Sequence, residues 1–145
     1  MSDLTIMFKD AVTDTSSTAK YRVGTRRQQN GREYIYIQAD DAITVNQAVK
    51  MDSTTGVKVT PTAAATDDLF GVAETAITDE EYGWITVKGV ASCKILTAAT
   101  AGQVLAPTST AGVLGNPANT DVAMIRAVAL QNGAATNLTK NVYLN

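Results

Sequence analysis

From Glu33 to the last residue, hydrophobic and polar positions alternate in short runs, each closed by a glycine, an asparagine or an Ala-Thr turn. Alternation with a period of two sends successive side chains to opposite faces of a β-strand. The clearest runs are Glu33-Tyr34-Ile35-Tyr36-Ile37-Gln38, Leu69-Phe70-Gly71-Val72-Ala73, Trp84-Ile85-Thr86-Val87-Lys88-Gly89-Val90 and Asn141-Val142-Tyr143-Leu144. They concentrate the β-branched and aromatic residues that strands favour. In the first run Tyr34 and Tyr36 share one face and Ile35 and Ile37 the other. One face packs inward, and tyrosines on the outer one suit an interface, where a rigid ring with a polar tip is favoured.

The turns have their own chemistry. Asn30-Gly31 immediately before Glu33 is the commonest type I′ hairpin signal and predicts a hairpin there; Asn132-Gly133 before Val142 predicts a closing one. Residues 41–52 read as a strand, a turn and a strand, closed by Ser53-Thr54-Thr55-Gly56, and Val57-Lys58-Val59-Thr60 alternates until Pro61, which lacks a ladder N–H. Residues 70–96 hold most of the large apolar side chains and are the expected core, with Asp79-Glu80-Glu81-Tyr82-Gly83 as a solvated turn. Residues 97–105 and 109–114 read as turns leading into short strands. Residues 123–130 fit a buried strand better than a helix, although Thr120 or Asp121 could cap one and Gly133 could end it.

These segments add up to on the order of eight to ten short strands, the sign of an all-β fold: an antiparallel sandwich or barrel. The long helical patterns that parallel crossovers require are absent from the sequence. Residues 21–145 read as a single β-domain. Residues 1–20 read as an extended N-terminal arm, rich in Ser, Thr and Asp, with one apolar clump at Leu4, Ile6, Met7 and Phe8. Such a segment buries too little surface to fold alone, so it is expected to be ordered by docking on a partner.

Composition narrows the function. The chain has 145 residues, 45% hydrophobic but only 6% aromatic, much of it alanine and valine. Small side chains bury little area each, so oligomerisation is an expected source of further stability. The net charge of −2 argues against a general nucleic-acid binder. Basic residues cluster early, at Lys20, Arg22, Arg26, Arg27 and Arg32, and acidic pairs follow at Asp40-Asp41, Asp67-Asp68 and Asp79-Glu80-Glu81. No basic-then-apolar leader opens the sequence, and no apolar run approaches the roughly 20 residues of a membrane span. The Asn137-Leu138-Thr139 sequon therefore carries little weight.

There is no histidine and one cysteine, Cys93, in a strand-like stretch where it reads as a small core residue. Zinc sites, thiol nucleophiles and histidine general bases are thereby excluded. Neither nucleotide-binding glycine pattern occurs, and the consecutive carboxylates of 79–81 lack the spacing of a calcium loop. The expectation is a protein that is no enzyme and takes no cofactor or metal. Trp84 reads as core.

Several segments together resemble a known family. These are Glu33-Tyr34-Ile35-Tyr36-Ile37-Gln38-Ala39, Ala42-Ile43-Thr44, Phe70-Gly71-Val72-Ala73, Gly83-Trp84-Ile85-Thr86-Val87-Lys88-Gly89-Val90, Ala101-Gly102-Gln103-Val104-Leu105 and Ile125-Arg126-Ala127-Val128-Ala129-Leu130. In that order they look like the head decoration, or cement, proteins of tailed bacteriophages and related small virion proteins. The likeness spans roughly residues 21–144 and rests on an order of strands and glycines. It implies a compact β-domain, assembled in the host cytoplasm, that binds the outside of a shell of major capsid protein as a trimer and holds capsomers together. In such proteins an N-terminal arm commonly reaches over the capsid, which assigns docking to Leu4, Ile6, Met7, Phe8, Arg22, Arg26 and Arg27, beside the tyrosine face of Tyr34 and Tyr36. The alternatives are another virion component, such as a tail-tube or fibre module or a minor head protein, and a glycan-binding β-module using Tyr34, Tyr36 and Tyr82.

Overall fold

A computed structural model describes residues 8–52, 54, 58–96, 99–116, 127–132 and 138–145. Ten strands lie within them: β1 (Arg26–Gln29), β2 (Arg32–Ala39), β3 (Gln47–Met51), β4 (Lys58–Pro61), β5 (Gly71–Ala73), β6 (Tyr82–Ile95), β7 (Val104–Pro107), β8 (Leu114–Gly115), β9 (Ala127–Ala129) and β10 (Leu138–Leu144). The all-β expectation holds, and the architecture is one mixed sheet in the order β1-β2-β4-β3-β5-β6-β10-β9-β7-β8. Two additional pairings, β2 with β6 and β6 with β8, close this sheet on itself twice. The result is two five-stranded rings that share β6.

The first ring runs β6-β2-β4-β3-β5 and back to β6, and the second runs β6-β10-β9-β7-β8 and back. Each contains one parallel pair, β2 with β4 and β6 with β8, where the sequence predicts antiparallel neighbours throughout. The reason is local. In each ring the chain returns through an intervening strand, β3 or β7, so no crossover helix is needed to bring two strands parallel.

The predicted first hairpin forms as read: Gln29 faces Arg32, and Asn30 and Gly31 both take positive φ, 53° and 75°, as a type I′ turn demands. Residues 82–95, two strand-like stretches in the sequence, form one 14-residue strand. Its first half pairs with β2 and β5 and its second half with β10. The change of partner occurs at Gly89, whose φ of 95° suits glycine alone and where a Cβ would stand 2.9 Å from the Gly31 carbonyl oxygen. The predicted turn at Ser53-Thr54-Thr55-Gly56, the candidate cap at Thr120 or Asp121, and Gly133 of the second Asn-Gly turn lie in whole or in part outside the described residues.

The two rings have separate cores. The first is filled by Ile35, Ile37, Ile43, Val49, Val59, Ile77, Ile85 and Val87. Burial of each such side chain stabilises by about 1.5–3 kcal/mol. The second is built from smaller pieces, Ala91, Cys93, Ala99, Ala127 and Ala129 among Ile95, Leu105, Leu114, Val142 and Leu144, and Ala48, Leu69 and Val72 of the first ring's outer side join it. Cys93 is fully buried, as its strand context suggests, and burial pushes its thiol up to about 12. Glu74 stitches the rings: it accepts hydrogen bonds from Arg32 Nη1 (3.2 Å), Thr86 Oγ1 (2.8 Å) and the Ser92 amide (3.3 Å). A second stitch is the loop before β8, where Gly112 donates to the Thr62 carbonyl and accepts from the Ala48 amide.

Candidate functional site

Alternation in β2 places Ile35 and Ile37 in the first core and turns Tyr34 and Tyr36 to the opposite face, as the sequence predicts. Trp84, directly across from Tyr36 on β6, extends that face. It is not free for a partner, however: Tyr36 is 1% exposed, Trp84 2% and Tyr34 6%. The covering comes from the chain's own N-terminal segment, with Phe8 and Val12 packed on the aromatic face beside Tyr21 and Tyr82.

The contact is ring on ring. Phe8 meets Trp84 edge-on at 5.2 Å between centroids and Tyr21 at 5.4 Å, and Tyr21 meets Tyr36 edge-on at 5.3 Å. Each such pair contributes about 0.5–1.5 kcal/mol beyond the area it buries. The Arg27 guanidinium lies 4.8 Å from the Phe8 ring centre and 5.4 Å from that of Trp84, a cation–π placement.

At the centre stands Asp10. It accepts hydrogen bonds from Trp84 Nε1 (3.0 Å) and the Tyr21 hydroxyl (2.7 Å), and Arg27 Nη1 reaches its carboxylate (3.4 Å) and its backbone carbonyl (3.0 Å). Both members of the Asp10–Arg27 pair are nearly inaccessible, with side chains 7% and 8% exposed. Burial opposes ionisation of Asp10, but the bonds from Trp84, Tyr21 and a backbone amide, with the Arg27 charge, outweigh it and hold the carboxyl below the ordinary aspartate range. The hydrogen bond to Asp10, with burial and the carboxylate's charge, raises the Tyr21 phenol above its ordinary value. Together these polar groups hold segment 8–16 against the sheet.

The structure therefore corrects the picture of a free docking arm over its described part. Phe8, Arg27, Tyr34 and Tyr36 are occupied inside the chain, because an aromatic face of this size is more stable covered than wet. A glycan platform of Tyr34, Tyr36 and Tyr82 loses its first two rings to burial, and Tyr82 is half-buried. Arg22 and Arg26 are exposed, Arg26 with an ion pair to Glu33. Leu4, Ile6 and Met7 lie outside the described residues. Of the carboxylates of 79–81, Glu80 is bound to Lys58 at 2.7 Å, and no cluster suited to a metal ion occurs among the described residues.

A surface that the sequence pattern did not single out lies on the second ring. Register places Tyr143 of β10 between Val90 of β6 and Val128 of β9, and Val128 faces Val104 of β7. This cross-strand row points outward: Tyr143 is 46% exposed and Val90 36%, and Leu130 just beyond β9 is 45% exposed. The sequence signal was present in the alternation of Val142, Tyr143 and Leu144, which buries the first and last and turns the tyrosine out. What the sequence lacked was the pairing that gathers four strands' outward residues into one patch. No protein-family model matches this chain, and no curated protein matches it.

Proposed function

We propose that this chain is a decoration protein of a tailed-bacteriophage head, binding the outer surface of the assembled capsid as a trimer and tying neighbouring capsomers together. The observation that carries the reading is the outward row in which Val90, Tyr143 and Leu130 are exposed and Val128, half-buried, lies across from Tyr143. Contiguous exposed apolar residues of this kind mark interaction surfaces, and tyrosine is favoured at their centres. The all-β frame supports it further, since it fixes these side chains on strands. Arg22, exposed just before the first hairpin, adds a group that pairs with carboxylates in defined orientation, beside Arg26, which is already paired with Glu33.

Cementing on this reading is mass action. A subunit that binds only the assembled lattice stabilises it in proportion to occupancy, and a trimer engaging several capsomers multiplies modest contacts into a tight clamp. The test is co-sedimentation with purified heads that lack the protein. The paired substitution Val90→Asp with Tyr143→Asp is expected to lower occupancy at least about tenfold, the equivalent of 1.4 kcal/mol, while the fold is retained by circular dichroism. Full occupancy by that variant would count against the reading, and self-assembly of the chain into rings or tubes without heads would favour a tail component.

A further inference from the structure

We infer that the seat of residues 8–16 is an exchange site, able to take the same segment from a second copy of this chain; this does not depend on where the protein sits in a virion. The seat and its occupant are separable parts. The seat is formed by Tyr21, Arg27, Tyr36, Tyr82 and Trp84, all belonging to the hairpin and β6 or leading directly into them. The occupant brings Phe8, Asp10, Val12 and Ser16. It carries its own turn, in which the Asp14 amide donates to the Ala11 carbonyl at 3.0 Å and the Ala11 amide to Asp14 Oδ2 at 2.9 Å.

Two backbone bonds between Ser16 and Tyr82 close the contact. Between the two parts runs Ser17-Thr18-Ala19-Lys20, in which all four residues are exposed and from which the Lys20 amide donates to the Tyr36 hydroxyl at 3.2 Å. A segment joined through an exposed polar link and held by side-chain contacts and two backbone bonds is the arrangement from which identical chains exchange elements.

The occupant is identified by the seat. Its shape and charge already match Phe8 and Asp10, and a second copy presents those same groups with no new complementarity required. What decides between the two states is concentration. A short link gives its own segment an effective concentration on the order of millimolar, so the closed form dominates in dilute solution. Copies held side by side at comparable local concentration exchange segments at little cost, because every interaction broken within a chain is remade between chains.

The experiment uses two full-length variants. Asp10→Arg sets two cations against each other in one chain, and Arg27→Asp sets two carboxylates together in the other. Neither chain can hold its own segment, yet each segment meets the opposite charge on the other chain. Mixing them in equal amounts is expected to give a heterodimer in sedimentation velocity, absent from either variant alone, with Trp84 fluorescence moving part of the way back to the wild-type spectrum, because only the seat that receives the Asp10 segment restores the acceptor for Trp84 Nε1. Two folded variants that stay monomeric when mixed would overturn the inference.

Should either variant fail to fold, wild-type chains, half of them 13C-labelled, are refolded together at about 1 mM. Isotope-filtered NMR then asks whether Phe8 of one copy contacts Trp84 of another, their rings being 5.2 Å apart in the closed form. An intermolecular contact supports exchange, and contacts confined to single chains overturn it.

Discussion

The two rings share a strand and a closure pattern, yet they treat their outer faces oppositely. The first turns Tyr34, Tyr36 and Trp84 outward and then covers them with residues 8–16 beside Tyr21, locking the cover with a buried ion pair. The second turns Val90, Val128 and Tyr143 outward, with Leu130 beside them, and leaves Val90, Tyr143 and Leu130 exposed and Val128 half-buried. Their interiors differ too, branched aliphatics in the first against alanine and cysteine among larger residues in the second. An aromatic face the chain covers itself serves stability, whereas one left bare by the same architecture is available to something else. Exposed tyrosine in a strand pattern is therefore an ambiguous sign until the covering segment is known.

Truncating one aromatic on each face separates the covered surface from the bare one. Trp84→Ala is expected to cost about 3–5 kcal/mol in urea unfolding, as large buried aromatics do. Tyr143→Ala is expected to stay within about 0.5 kcal/mol, as exposed positions do. Equal costs would erase the distinction between a covered and a bare face.

Asp10→Ala removes one partner of a buried pair and leaves Arg27 uncompensated, with an expected loss of about 3 kcal/mol. The same group sets a pH dependence. Because the folded-state pKa of Asp10 lies below its ordinary 3.8, its contribution is fully present above that value and is lost as pH falls through the lower, folded-state pKa. Urea titrations from about pH 5 down to about pH 2 should show wild type losing more stability than Asp10→Ala; parallel curves would remove Asp10 from the latch.

Gly89→Ala tests the hinge common to both rings. A φ of 95° and a Cβ 2.9 Å from a carbonyl oxygen predict a loss of about 2 kcal/mol, seen as a lowered Tm. The smallest effect is chemical. With its thiol buried and its pKa raised to about 12, Cys93 should react with a thiol reagent at about pH 8 only as fast as the chain opens, and immediate labelling of folded protein would contradict the second core as described.

Local chemistry was legible in the sequence. Asn30-Gly31 gave its hairpin, the Tyr/Ile alternation of β2 gave its two faces, and Cys93 and Trp84 fell in the interior. The latch was not legible, because Asp10 is one polar residue in a polar segment whose partners lie 11, 17 and 74 positions away. No period or spacing connects such residues; only the fold does. The parallel pairs and the Val90–Tyr143 row were hidden for the same reason, since strand pairing over long separations decides them.

The proposed head-decoration role is decided by cryo-electron microscopy of purified tailed-phage heads incubated with this protein. Density for this domain is expected on the outside of the head shell, at or near three-fold positions. There the Val90–Tyr143 face should be buried against a neighbour, and Trp84 should remain under a Phe8 segment. Heads without density for the domain, or a shell contact that leaves Tyr143 exposed to solvent, would contradict the claim.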